Sequence, residues 1–132
     1  MSVLDASAAL EFLLGTAAGD AVARRLVEEG GFTAPDLLPF EVLAVLRRDE
    51  RRGMLAGPRG AAALEDLEDM PLTLFSTRPL VGRAWELRHN FSAGDAMYVV
   101  LAEALDEPLV TGDRALVRAA RRHTAVTIEL VA

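Results

Sequence analysis

The sequence predicts a three-layer α/β/α domain built on a central parallel sheet of short strands. Two observations carry this expectation. Short apolar segments alternate with helix-patterned ones along the whole chain, and strands this short and apolar, separated by helices, suit a sheet covered on both faces. In addition, 132 residues is the size of one ordinary domain, residues 1–132, with no repeat, low-complexity run or linker to divide it.

Element by element, Ser2 to Leu4 is a brief strand candidate and Ala6 to Leu14 a helix. Asp20 to Glu29 is a second helix, closed by the stop signal Gly30-Gly31. Phe32 to Ala34 is a strand ahead of Pro35. A helix follows over Leu38 to Arg52, with Leu38, Val42, Val45 and Leu46 at helical spacing and Gly53 ending it. Pro58 to Met70 is a helix with a proline near its start. Leu72 to Phe75 is strand-like, Pro79 to His89 helical, and Gly94 to Leu105 helical and apolar nearly all round. Pro108 to Thr111 is a buried strand candidate, Asp113 to Arg122 a helix, and Val126 to Val131 the last strand.

Composition narrows the chemistry. The chain is 52% hydrophobic and 26% charged, as for a globular protein with a sizeable core. No stretch reaches the ~18 apolar residues of a membrane span, and the N-terminus Met-Ser-Val-Leu-Asp has no basic leader or export segment, so a cytoplasmic protein without membrane contact is expected. The absence of cysteine excludes disulfides and thiolate metal sites. All fourteen basic residues are arginine, against twenty acidic ones, for a net charge of -6. Without lysine, Schiff-base and P-loop chemistry are closed. The acidity also argues against indiscriminate coating of nucleic acid, but not against an enzyme whose carboxylates hold metal ions.

Four acids stand where such an enzyme needs them, since ligands of open parallel sheets bind beyond the carboxyl ends of the strands. Asp5 follows the first strand and Asp113 the strand at 108–111; Asp95 lies in the first turn of the apolar helix, and Glu41 early in the Leu38 helix. At ~100° per residue, Glu41 falls about 60° from Leu38 and about 40° from Val45, on the flank of the buried stripe. A carboxylate there is costly unless paired or bound to a cation. Each acid also has a plainer reading: Asp5 and Asp113 as helix N-caps, Ser92-Ala93-Gly94-Asp95 as a capping box, Glu41 as a half-exposed surface acid. Parallel strands would bring all four to one edge. Two like charges ~4 Å apart cost about 4 kcal/mol at an effective dielectric near 20, so such a cluster raises its pKa values or binds a divalent cation. Oxygen-only ligands favour Mg²⁺ or Mn²⁺ over zinc, a combination suited to activating water and stabilising charge on a phosphodiester.

The segments Val3-Leu4-Asp5-Ala6-Ser7-Ala8, Phe40-Glu41-Val42-Leu43-Ala44-Val45-Leu46-Arg47-Arg48, Gly94-Asp95-Ala96-Met97-Tyr98 with Val99-Val100-Leu101-Ala102, and Leu109-Val110-Thr111-Gly112-Asp113-Arg114-Ala115-Leu116 together resemble the PIN-domain family. Within it, the ordered set is most similar to the VapC-type ribonuclease toxins of bacterial toxin–antitoxin pairs, and the likeness runs end to end. The resemblance implies a PIN-like domain acting as a Mg²⁺-dependent endoribonuclease, with Mn²⁺ as a substitute, that leaves 5′-phosphate and 3′-hydroxyl ends. Asp5, Glu41, Asp95 and Asp113 would be its acidic metal-binding quartet, and Ser7 and Thr111 hydroxyls that hydrogen-bond the carboxylates or a water on the metal. It further implies a homodimer and a cognate antitoxin encoded beside it. Phe40 departs from the pattern, because many relatives carry a small polar residue before the glutamate.

The remaining candidates have two readings each. Arg114, Arg118, Arg121 and Arg122 make one basic helix face, a seat for RNA phosphates beside the metal site or simply a solvated surface. Arg47, Arg48, Arg51 and Arg52 suit the negative end of their helix dipole. Tyr98 and Trp85 suit a core or a dimer interface better than base stacking, and His89 and His123 read as helix C-terminal residues. Apolar surface over Ala8 to Leu14 and Ala21 to Val27 would suit an antitoxin helix, or packing against the sheet or a dimer mate. A phospho-acceptor receiver domain is excluded by the single acid after the first strand and the missing lysine. A non-catalytic PIN-like protein-binding module, its acids serving only as caps, is the alternative from another class.

Overall fold

Strand β1 is only Val3–Leu4, yet it is the centre of the molecule, both residues having no exposed surface. The computed structural model describes residues Met1–Ala132 and pairs β1 in parallel with β2 (Phe32–Pro35) through Val3↔Thr33, and with β4 (Leu109–Thr111) through Val3↔Leu109 and Leu4↔Val110. Outside these lie β3 (Leu72–Phe75), paired with β2, and β5 (Ile128–Leu130), paired with β4. The sheet is therefore all parallel, in the order β3-β2-β1-β4-β5. The chain builds outward from β1 in one direction and then crosses to build in the other, so the topological switch point falls between β1 and β4. That is where sheets of this class leave a crevice for ligands.

Seven α-helices complete the layers: α1 (Ala6–Leu13), α2 (Ala17–Glu29), α3 (Leu38–Arg51), α4 (Gly57–Asp69), α5 (Val81–Glu86), α6 (Ala93–Leu105) and α7 (Arg114–His123). Right-handed crossovers put α1 to α4 on one face and α5 to α7 on the other. Consistently, α1 packs on α2, α3 and α4, while α6 lies over β1, β2 and β4. Helix α6 buries Ala96 and every residue from Tyr98 to Ala102, as its all-round apolar sequence requires.

Three expectations need correction. Helix α2 begins at Ala17 rather than Asp20, because the Thr16 hydroxyl caps it by accepting from the Gly19 amide at 3.2 Å. Gly19 belongs inside the helix for a steric reason: a Cβ there would lie 2.2 Å from the Glu11 carbonyl oxygen, so only glycine lets α2 close on α1. The helix expected over Pro79 to His89 is a 3-10 turn, Arg78–Leu80, followed by the short α5, and His89 lies beyond the latter. Strand β3 is an edge strand with Thr73 and Leu74 exposed, and β5 is the half-buried opposite edge, so only the inner three strands are covered on both faces. The apolar surface of α1 is covered by its helical neighbours; in α2, Val22 is buried but Val27 stands out, 85% exposed. No single helix is long and apolar enough to cross a membrane.

Candidate functional site

The ends of β1 and β4 lie side by side, so the residues that follow them meet. Asp5 caps α1, its Oδ1 accepting from the Ala8 amide at 2.9 Å and from the Ser7 hydroxyl at 2.7 Å. Its other oxygen, Oδ2, accepts from the Thr111 hydroxyl at the end of β4. Ser7 and Thr111 in turn accept from the amides of Gly112 at 2.9 Å and Asp113 at 3.0 Å. The two hydroxyls thus lock the start of α1 to the β4–α7 junction. Asp113 caps α7, accepting from the Ala115 and Leu116 amides at 2.8 and 3.2 Å, and both bonds use Oδ1 alone. The capping reading therefore holds for Asp5 and Asp113, and the Thr111 hydroxyl links the two residues.

Asp95 reaches the same edge from the first turn of α6, where Ser92 and not Asp95 is the cap, accepting from the Asp95 amide at 3.2 Å. Glu41, in the first turn of α3, is half-buried and accepts from the Tyr98 hydroxyl at 2.5 Å. Arg114 and Arg118 are exposed on α7, and Arg118 lines a shallow surface hollow with Arg122 and His123. His123 ends α7 and meets Phe91 edge-on, with ring centroids 6.4 Å apart. Arg48, Arg51 and Arg52 close α3 as its dipole favours.

With this geometry, the likeness to known proteins takes on structural meaning. The PIN domain family profile matches residues 2–122. The chain belongs to the PIN-domain family. Its likeness is to the VapC type: it is 39% identical over 132 residues to Ribonuclease VapC12 of Mycobacterium tuberculosis (strain ATCC 25618 / H37Rv), covering 100% of both chains. It is 38% identical over 128 residues to Ribonuclease VapC9 of the same strain, covering 97% of this chain and 98% of that one. Against Ribonuclease VapC1 it is 40% identical over 118 residues, 89% of each.

In this PIN domain the acids sense one another. Burial pushes the Asp5 carboxyl up to about 6, against the pull of its Thr111, Ala8 and Ser7 donors, and the charge of Asp95 adds to the rise. Asp95 is raised by burial first and then by Asp113 and, less, by Glu41, with Ser92 offsetting part of it. Burial and the neighbouring Glu41 carboxylate raise the Tyr98 hydroxyl, which stays protonated and donating. None of the molecule's six ion pairs involves any of the four acids. Their donors are all oxygen, which suits a hard divalent cation, although no three carboxylate or imidazole groups stand close enough to form a ready-made metal cage.

Sequence reasoning missed Tyr98 as a member of this group. It is 2% exposed, as a core aromatic should be, yet its hydroxyl emerges at Glu41. The signal available was its position three residues after Asp95, on the same helix face.

Proposed function

We propose that the chain works as a single PIN domain, residues 1–132, that hydrolyses RNA phosphodiester bonds with Mg²⁺ or Mn²⁺ held by Asp5, Glu41, Asp95 and Asp113. The observation that supports this reading is electrostatic: the carboxyls of Asp5 and Asp95 are raised by burial and by neighbouring acids, and no arginine or histidine is paired with any of the four. A buried cluster of like charge is a configuration that a divalent cation relieves. The names of the VapC relatives support RNA as the substrate.

When bound, such an ion supplies Lewis acidity, neutralising charge on the phosphodiester and making water a nucleophile near neutral pH. The protein supplies placement. Ser7 and Thr111 hold Asp5 in one rotamer, and the start of α7 holds Asp113 through its Oδ1. Arg114 and Arg118, on the helix that Asp113 opens, are positioned to take the flanking phosphates. The same reading includes a bacterial cytoplasmic location, a cognate antitoxin and a homodimer. Exposed Phe40 (67%) and Trp85 (66%) line adjoining hollows that share Ala93 and Met97, an apolar face suited to a second copy.

Thermal unfolding against Mn²⁺ or Mg²⁺, for wild type and Asp95→Asn, tests the metal site. A cation at ~100 times its dissociation constant stabilises the wild type by about 2.7 kcal/mol, and the variant loses most of that rise. RNA cleavage follows the same pattern. A wild type that neither gains stability nor cuts RNA overturns the reading and leaves a binding module with capped helices.

A further inference from the structure

Asp5 and Glu41 are held in different ways. Asp5 has a short side chain at the end of a strand and takes three donors on two oxygens. Glu41 projects from α3 on a longer, freely rotating side chain, and its one hydrogen bond is from Tyr98 to Oε1. The Tyr98 ring is packed in the core, so its hydroxyl is a fixed point. The other oxygen, Oε2, lies 3.1 Å from where a Cβ on Gly94 would stand, closer than a methyl group sits comfortably. Gly94 and Tyr98 are four residues apart on α6, hence on one face. One helix face therefore grips both oxygens of Glu41: the tyrosine by a bond, the glycine by leaving room.

We infer that Tyr98 is the positioning residue for Glu41, and that the bare Cα of Gly94 is the seat that lets this carboxylate lie against α6 beside Asp95. Helix α6 then fixes both its own Asp95 and the Glu41 that α3 contributes. The inference rests on the metal reading above. Without the Tyr98 hydroxyl, Glu41 regains rotamer freedom that a bound cation must remove again, and affinity falls although no ligand has been deleted. With a methyl group at position 94, Oε2 must give way by a few tenths of an ångström while Tyr98 still holds the other oxygen.

The test is a calorimetric titration of Mn²⁺ into the full chain, with thermal unfolding in EDTA, for wild type, Tyr98→Phe and Gly94→Ala. Tyr98→Phe is expected to remain folded and to bind Mn²⁺ ~10-fold more weakly, the scale of losing an outer-shell partner. Gly94→Ala is expected to keep or raise its metal-free melting temperature, since alanine is the better helix former, while its Mn²⁺ affinity falls several-fold. Those opposed changes are what a merely structural role does not produce. If Tyr98 only fills the core, Tyr98→Phe, which keeps the ring, melts as wild type does in EDTA and binds Mn²⁺ as tightly. Wild-type affinity in either variant overturns the role given to that residue. A wild type that binds no Mn²⁺ overturns the metal reading, and this inference with it.

Discussion

The two ends of the sheet treat carboxylates in opposite ways. On the amino-terminal side, Glu29 accepts from the Ser2 hydroxyl at 2.9 Å and from the Arg25 guanidinium at 2.7 Å, while the N-terminal amine stands 3.4 Å away. Arg25 also forks onto Glu129 of β5. Burial works against Glu29, but the Ser2 hydroxyl and Arg25 outweigh it and hold its carboxyl below the ordinary range. On the carboxyl-terminal side, acids of comparable or deeper burial meet hydroxyls, amides and one another, and Asp5 and Asp95 shift upward instead. The protein thus has an arginine network for its acids and does not extend it to the switch point. One end is neutralised within the fold; at the other, Asp5, Glu41, Asp95 and Asp113 have no basic partner.

The contrast can be broken at either end. The largest effect expected is on chemistry: Asp95→Asn should lower RNA cleavage about 10³-fold, equivalent to the several kcal/mol a positioned cation supplies, with the fold retained by circular dichroism. Next is the pH dependence of metal-free stability. Because Asp5 titrates at about 6 in the folded chain and at 3.8 ordinarily, the folded state binds more protons between those values. In EDTA, stability should therefore fall as pH rises from about 4 to 6, by up to about 3 kcal/mol from this group. Denaturant titrations of Asp5→Asn should show a shallower slope, with the share of the raised Asp95 left, and a slope unchanged in the variant would remove Asp5 as its source.

The amino-terminal end should show the opposite sign. Glu29, held low, contributes stability above the ordinary carboxylate range that is lost as pH falls through its folded value. Arg25→Met should reduce that acid-side loss, leaving the share due to the Ser2 hydroxyl, at a cost of about 1 kcal/mol near neutral pH, given partial exposure and solvent screening. It should leave the slope between pH 4 and 6 untouched. The smallest effect belongs to α7. Arg114→Ala and Arg118→Ala should each weaken RNA binding a few-fold and reduce the salt slope of log affinity by about 0.7, as for one lost single-strand phosphate contact. Filter binding across a salt series measures this, and unchanged slopes would return those arginines to the solvated surface.

Much of this was legible before any coordinates. The alternation of short apolar strands with capped helices is a local signal, and it placed Asp5, Asp95 and Asp113 at element starts within a residue of where they stand. That Ser7 and Thr111 hydrogen-bond the carboxylates or a water on the metal is what the family resemblance implies; that their partner is Asp5 is visible only in the structure. What local pattern hid was of two kinds. The helix expected from Asp20 begins at Ala17, and only the approach of Glu11 from another helix explains the place of Gly19 inside it. Tyr98 reads as core, which it is, but its partner Glu41 lies 57 residues earlier and no periodicity links them. Side chains that belong to two environments at once are invisible to any argument made along a single element.

The pairing of β1 with β4 has one more consequence, in the order in which the chain is made. Asp5 and its hydroxyl partner Thr111 are 106 residues apart, so a chain growing from its N-terminus displays Asp5 and Glu41 long before Thr111 and Tyr98 exist to hold them. Strand β4 and Asp113 arrive only after β2, β3 and the helices α1 to α6 have been made. An unfinished chain carries half of an acidic cluster and lacks the central strand pair that would assemble it. For a protein proposed to cut RNA, that timing keeps the acidic residues of the two central strands apart until β4 has been made.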